Sequence, residues 1–443
     1  MSFYADKQTL DDLNISGRYN SKSIYRIFDH VITDGGRKLL EHMFRHPLAD
    51  DKAINERSCI FQYFGRHAVA FPFSNEAFSV AESYLSSGVS GSIPATAWNI
   101  VSGRLLKTMI RDTRYDLLIA GVSKTIALLR AFRDFIYKLE EQEAYNPIQG
   151  CFEQVRGIFN DHRLQWLNDT VDLTRMPLRK LIQYDYQLRT GCQEEMKILI
   201  NIIYQLDVYI SVGTVARTKQ FCYAKALPRY KNVINIDGLF HPSLEKPVSN
   251  HILFEQTSNV AFLTGANMAG KSTFMKSFGI AVYLSHMGFP VAAEKMEFSV
   301  KDGLFSTINV PDSLEHGYSH FYAEVLRVKS VAEQVGQSKD LVVIFDELFK
   351  GTNVKDAFDA TLAITAAFSA HTNCFFIISS HIIEVGEALK EQGGSYQFLY
   401  LPTIMEGNIP RYTYQLKAGI TADRHGMIII ENEGLIGLIR KRE

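Results

Sequence analysis

The stretch Phe262-Leu263-Thr264-Gly265-Ala266-Asn267-Met268-Ala269-Gly270-Lys271-Ser272-Thr273 constrains this chain more than any other, because an apolar run stops at a glycine-bounded loop ending in Gly-Lys-Ser. The spacing G-x-x-x-x-G-K-[ST] suits a triphosphate. Its glycines let backbone N–H groups close around phosphate oxygens, its lysine supplies a cation, and the next hydroxyl can ligate Mg²⁺. Residues 259–264 read as a buried strand, and residues 273–284 carry apolar side chains at helical spacing. The loop would then sit on a helix N-terminus, where partial positive charge collects. Gly265, Ala266, Asn267, Met268, Ala269, Gly270, Lys271, Ser272 and Thr273 are the candidate nucleotide-binding residues.

Residues 341–345 form a second short run, Leu-Val-Val-Ile-Phe, that ends in Asp346-Glu347. A strand ending so delivers Asp346 to a metal shell shared with Ser272 and places Glu347 to orient or deprotonate an attacking water. A third run, residues 374–379, leads to Ser380-His381. In an ATPase that order suggests a γ-phosphate sensor, whereas alone it is a core histidine with a hydrogen-bond partner.

Between the second run and the glycine loop lies Asp312-Ser313-Leu314-Glu315-His316-Gly317-Tyr318-Ser319-His320-Phe321-Tyr322-Ala323-Glu324. Here the chain resembles the MutS family, ABC-type ATPases that act on DNA. Those proteins carry T-G-P-N-M-x-G-K-S-T, D-x-L-x-x-G-x-S-T-F-x-x-E, D-E-x-x-R-G-T-x-x-x-D-G and T-H-Y in the same order. Asn267 and Met268 match in the first motif. Asp312, Leu314, Gly317, Ser319, Phe321 and Glu324 match in the second, and Gly351, Thr352 and Asp356 in the third. The departures are Ala266 for proline, Ala269 for glycine, Lys350 for arginine, Ala357 for glycine and His320 for threonine, with Ser380 and Ile382 flanking the histidine differently. Lysine cannot reproduce the rigid fork of arginine, so any bidentate contact at position 350 is altered. Further matches lie upstream: Thr9 to Leu13, Asp29, Thr33, Gly35-Gly36-Arg37 and Leu206-Asp207-Val208 resemble the family's helical core and lever. Phe240-His241-Pro242, Val248 and Asn250 resemble its entry strands, and Leu416, Gly419 and Gly426 its C-terminal stretch.

The resemblance implies a multi-domain chain, an all-α core and lever domain over residues 1–228 followed by an α/β P-loop NTPase domain of the ABC type over 229–443. It implies ATP and Mg²⁺, with Lys271, Glu347 and His381 catalytic and Ser272 and Asp346 on the metal. Tyr414 falls roughly where a family member stacks on adenine; a packed core tyrosine is the other reading. A signature loop in this family serves a partner's nucleotide, so Gly317 and Ser319 imply a homodimer formed through the ATPase domains, with DNA as the target. The match starts at residue 9, without the family's mismatch-reading and connector domains. Residues 144–177 lack the alternation of the clamp strands, and the helical tail after Gly434 is not matched.

Composition fits a soluble multi-domain protein: 443 residues with 46% apolar content can fill large cores. Five cysteines, scattered without C-x-x-C pairs, argue for reduced thiols and against a zinc site. The N-terminus lacks a signal pattern and no apolar run approaches membrane-spanning length, so a cytoplasmic location with no membrane is expected. With 47 Lys and Arg against 48 Asp and Glu, net charge gives no support to nucleic-acid binding. DNA contact would need a local patch. Arg104, Lys107, Arg111 and Arg114 at helical spacing, or Arg175, Arg179 and Lys180, are candidates; both stripes read first as the solvated faces of amphipathic helices.

Residues 115–143 and 178–217 read as long helices, residues 86–94 as a loop, and the segment from Asn232 onward as strands alternating with helices. The functional expectation is an ATP-gated clamp on DNA. The alternative is an ATP-gated scaffold that binds a protein or structured RNA and hardly turns over. A transporter motor fits poorly, since Leu314-Glu315-His316-Gly317-Tyr318-Ser319 stands where L-S-G-G-Q would.

Overall fold

Uninterrupted apolar runs become the centre of a parallel sheet, because a strand buried on both faces has no polar side to show. The computed structural model describes residues 3–16, 23–87, 91–110, 113–141, 147–168, 176–309, 320–406, 409–421 and 438. Two compact units divide the chain, one of residues 1–27, 43–58 and 215–443, the other of residues 28–42 and 59–214.

The first unit is built on a seven-stranded sheet of β1 (Tyr4–Ala5), β2 (Val260–Gly265), β3 (Gly303–Thr307), β4 (Leu341–Phe345), β5 (Phe375–Ser379), β6 (Tyr396–Leu401) and β7 (Lys417–Ala418), ordered β1-β3-β4-β5-β2-β6-β7. All neighbours are parallel except β6 and β7. Every residue of β2, β3, β4 and β5 is buried. Around the sheet lie α1 (Lys7–Asp12), α2 (Lys271–His286), α3 (His320–Gly336), α4 (Val354–Ser369) and α5 (Ile383–Gln392). Phe345, Phe368 and Phe376 share a core with Val331 from α3 and Leu389 from α5. Helix α2 lies close on the sheet at Gly279, where a Cβ would stand 3.1 Å from Ile344 Cδ1 and 2.9 Å from Leu13 Cδ2. The unit also holds a smaller four-stranded sheet, Lys225–Leu227, Lys295–Ser299, Ile234–Leu239 and Asn250–Phe254 in that order.

The N-terminal residues differ from the sequence reading, which groups residues 9–13 with the helical half. Tyr4 and Ala5 pair with Gly303 and Leu304. The Asp12 carboxylate accepts from Ile308 N at 2.8 Å, Asn309 N at 3.1 Å and Ser306 Oγ at 3.0 Å. A two-residue strand has no period to read, which is why only the structure reveals it.

The second unit is helical, with Phe132 and Ile136 of Arg114–Glu140, Phe78 of Asn75–Ser86 and Phe152 of Gln149–Phe159 in one core. Asp207, from Gln193–Lys219, fastens the chain ahead of Asp34–Arg45 by accepting from Thr33 N and Thr33 Oγ1, both at 2.7 Å, and from Ile32 N at 3.1 Å. Among the described residues Gln193–Lys219 is the one helix long and apolar enough to cross a membrane, and 61% of its apolar window is buried.

Three expectations change here. The helix over residues 178–217 breaks: Leu178–Tyr186 passes into a π turn, Gln187–Gly191, closed by Cys192 N donating to Gln187 O at 2.8 Å. The basic stripe does not lie on one helix, because Ile93–Ile110 ends and a new helix starts at Arg114 behind the N-cap Thr113. Arg104 and Lys107 therefore belong to one helix and Arg114 to the next. Lys107 is paired with Asp116, while Arg111 lies outside the described residues, as does Arg175. Finally, Pro94, read as loop, sits in the first turn of Ile93–Ile110, where its missing N–H costs nothing.

Candidate functional site

The C-terminal ends of β2, β4 and β5 converge on one place, the edge where open parallel sheets bind ligands. Strand β2 delivers the glycine loop. Gly265 has φ +149°, Met268 +70° and Gly270 +102°, so the chain turns through conformations that two glycines make cheap. Gly270 is the N-cap of α2 and no side chain caps that end, which leaves an electropositive first turn. A Cβ on Gly270 would stand 3.0 Å from Tyr414 Cδ1.

Lys271 is 5% exposed. Its Nζ donates to Gly265 O at 2.9 Å and Ala266 O at 3.4 Å, so the loop's own carbonyls hold the ammonium. Burial lowers its pKa, opposed by the charges of Glu347 and Asp346. From the next position Ser272 Oγ donates to Asp346 Oδ2 at 2.6 Å. A hydroxyl and a carboxylate side by side form a hard oxygen pair of the type Mg²⁺ takes beside phosphate oxygens and water. Ser272 and Asp346 thus fit the ion, whereas no group of three or more His, Cys, Asp or Glu suited to a metal occurs among the described residues.

Glu347 lies just beyond β4 with φ +56°, a left-handed conformation unfavourable for a side chain with a Cβ. His381 Nε2 stands 2.6 Å from its Oε1, and Lys350 Nζ 3.7 Å from its Oε2. The hydrogen bond from His381 above all, aided by the charges of His381, Lys350 and Lys271, overcomes burial and brings the carboxyl down to about 2. Glu347 is therefore ionised throughout the neutral range.

A cavity of about 530 Å³ opens beside the loop, within the span usual for small-ligand sites. Ala266, Asn267, Met268, Gly270, Lys271, Ser272, Thr273 and Glu347 line one side. Phe240, Leu244, Pro247 and Val248 form an apolar wall, and Tyr414 stands among the lining residues with 46% of its surface exposed. Tyr414 is thus at the cavity and not packed into the core. Asn250 ties it there: its Nδ2 donates to Tyr414 O at 3.0 Å and its Oδ1 accepts from Leu416 N at 2.7 Å.

The residues from Gly265 to Thr273, Asp346, Glu347, His381 and Tyr414 accordingly gather at one site. Gly317 and Ser319 lie outside the described residues. Sequence reasoning missed Asn250 as the anchor of Tyr414 and Ser379 as a neighbour of both acids, because an asparagine and a serine at strand ends carry no spacing of their own. Leu244 and Pro247 of the apolar wall had no signal either.

A parallel sheet with a glycine loop running into a helix, a lysine under that loop and two acids directly after β4 makes an α/β unit of the kind suited to phosphate. Residues 261–439 match the family model described as MutS domain V. The chain is also similar to the DNA mismatch repair protein MutS of Bacillus cereus (strain B4264), 26% identical over 329 residues, which is 71% of this chain and 36% of that protein. It is similar to the proteins of the same name from Bacillus mycoides (strain KBAB4) and Bacillus thuringiensis (strain Al Hakam), each 26% identical over 298 residues, 64% of this chain and 33% of the relative. The family model and the relatives together support a member of the MutS family, at low identity. It matches about a third of the length of these relatives.

Proposed function

We propose that the chain binds ATP with Mg²⁺ in the cavity beside the glycine loop and hydrolyses it as an ABC-type ATPase, two copies closing on nucleotide to form an ATP-gated clamp on DNA. The observation that carries this reading is the meeting of Lys271, the Ser272–Asp346 pair and the Glu347–His381 pair at the end of one parallel sheet. Lys271 leaves the loop carbonyls for the β- and γ-phosphate oxygens. Ser272 and Asp346 hold Mg²⁺, which neutralises phosphate charge when bound. Glu347, too acidic at about 2 to retain a proton, acts by orienting the attacking water, and His381 keeps it aimed. Tyr414 stacks on the base against the apolar wall.

Gly317 and Ser319 approach the γ-phosphate held by the partner's loop, so each site is completed in trans. The roles of lever for the helical unit and of ATPase for the unit built on the seven-stranded sheet, and a cytoplasmic location, belong to the same proposal. DNA enters it through the relatives, which are DNA mismatch repair proteins. If DNA of every structure leaves turnover unchanged, the scaffold for a protein or structured RNA takes its place.

Mixed dimers test sharing. Lys271→Ala chains and Ser319→Ala chains are each inactive alone, and mixing them assembles one intact composite site. Recovery of turnover on mixing is the expected outcome; no recovery removes the trans arrangement.

A further inference from the structure

Ser379, the last residue of β5, is fully buried, and its hydroxyl stands between the two acids that follow β4. It donates to Asp346 Oδ1. It accepts the N–H of Glu347 at 3.1 Å, and its own carbonyl accepts the same N–H at 3.2 Å. One hydroxyl proton is thus committed to Asp346, and a lone pair to the backbone of Glu347. The remaining oxygen of Asp346, Oδ2, receives Ser272 Oγ at 2.6 Å.

These bonds have consequences at both acids. Asp346 is held by a donor on each oxygen, so its carboxylate has one orientation, with Oδ2 toward Ser272. Glu347 sits at φ +56°, a backbone state that persists only where neighbours hold it. The bond from its N–H to Ser379 is one such hold. Within the T-H-Y motif Ser380 is the threonine's counterpart, so Ser379 lies outside every motif that marks the site.

We propose that Ser379 is a positioning residue for the metal-side carboxylate: its hydroxyl sets the orientation of Asp346 and locks it to the backbone of Glu347. The proposal rests on the Mg²⁺-nucleotide reading of the site. Partners that orient metal ligands are worth about 10–100-fold in metal affinity in other proteins. An alanine at 379 keeps the strand's backbone bonds and deletes only the oxygen.

The test uses the full chain, wild type and Ser379→Ala. ADP affinity is measured in EDTA, and Mn²⁺ affinity of the ADP-loaded protein by electron paramagnetic resonance. The expected result is unchanged metal-free ADP affinity with Mn²⁺ binding weakened about tenfold. Mn²⁺ affinity within twofold of wild type overturns the proposal, and equal loss of metal-free ADP binding does too, since that is a folding effect. If wild type binds no ADP at all, the nucleotide reading itself fails and takes this inference with it.

Discussion

Gly270→Ala probes the loop with a single methyl group. At φ +102° an L-residue is strained, at about 1–3 kcal/mol for a sparsely populated backbone state. The new Cβ also meets Tyr414 Cδ1 at 3.0 Å, a contact that the half-exposed ring relieves by moving a few tenths of an ångström. The cost falls almost wholly on the conformation that cradles phosphate, because the loop can relax only by abandoning it. At 1.4 kcal/mol per factor of ten, ATP·Mg²⁺ affinity should fall by about tenfold to a hundredfold. Gly336→Ala is the control. Gly336 ends α3, and nothing lies within 4 Å of its would-be Cβ. There alanine should stabilise by about 0.5–1 kcal/mol and leave affinity alone. Isothermal titration with ATP and Mg²⁺, beside thermal melts of both variants, reads the two effects separately. Wild-type affinity in Gly270→Ala would refute the assignment of this backbone to phosphate binding.

Asp207→Ala strands one buried and one partly buried backbone donor, Thr33 N and Ile32 N, at about 1–3 kcal/mol each, so urea unfolding followed by circular dichroism should show about 2–6 kcal/mol lost; a loss under about 0.5 kcal/mol contradicts the fastening role. Lys301 is 1% exposed, with Nζ donating to Asn232 Oδ1 at 2.6 Å and Asn373 O at 2.8 Å, and burial brings its pKa down from 10.5 to about 8. The unfolded chain therefore holds more protons between those values, and stability rises with pH across that window. The unfolding free energy of wild type minus that of Lys301→Met should grow by roughly 3 kcal/mol from pH 7.5 to 10.5, at about 1.4 kcal/mol per pH unit; a flat difference would show that the ammonium is not desolvated. His381→Ala removes the main cause of the low Glu347 pKa, so infrared titration of the Glu347 carboxylate should find its midpoint moved up from about 2 toward 4.5; an unmoved midpoint contradicts the pairing.

The sheet was legible where burial on both faces leaves apolar runs: residues 341–345 coincide with β4, and residues 374–379 differ from β5 by one position. The loop was legible because phosphate chemistry fixes residue types at fixed spacing. The break at Cys192 was not. Leu181, Tyr184, Leu188, Cys192, Met196 and Leu199 are all buried across it, so the helical period continues through a π turn that adds a residue without moving the apolar face. Charge spacing alone likewise could not show that Arg104 and Arg114 sit on separate helices. Ser379 escaped for another reason: its hydroxyl matters through Asp346 and Glu347, which lie more than 30 residues away in sequence.

Sedimentation velocity of Glu347→Gln, with and without ATP and Mg²⁺, tests most directly whether two chains close on nucleotide. The account expects ATP to bind and to drive the variant into a long-lived dimer that ADP does not support. A variant that binds ATP and still sediments as a single chain would contradict it.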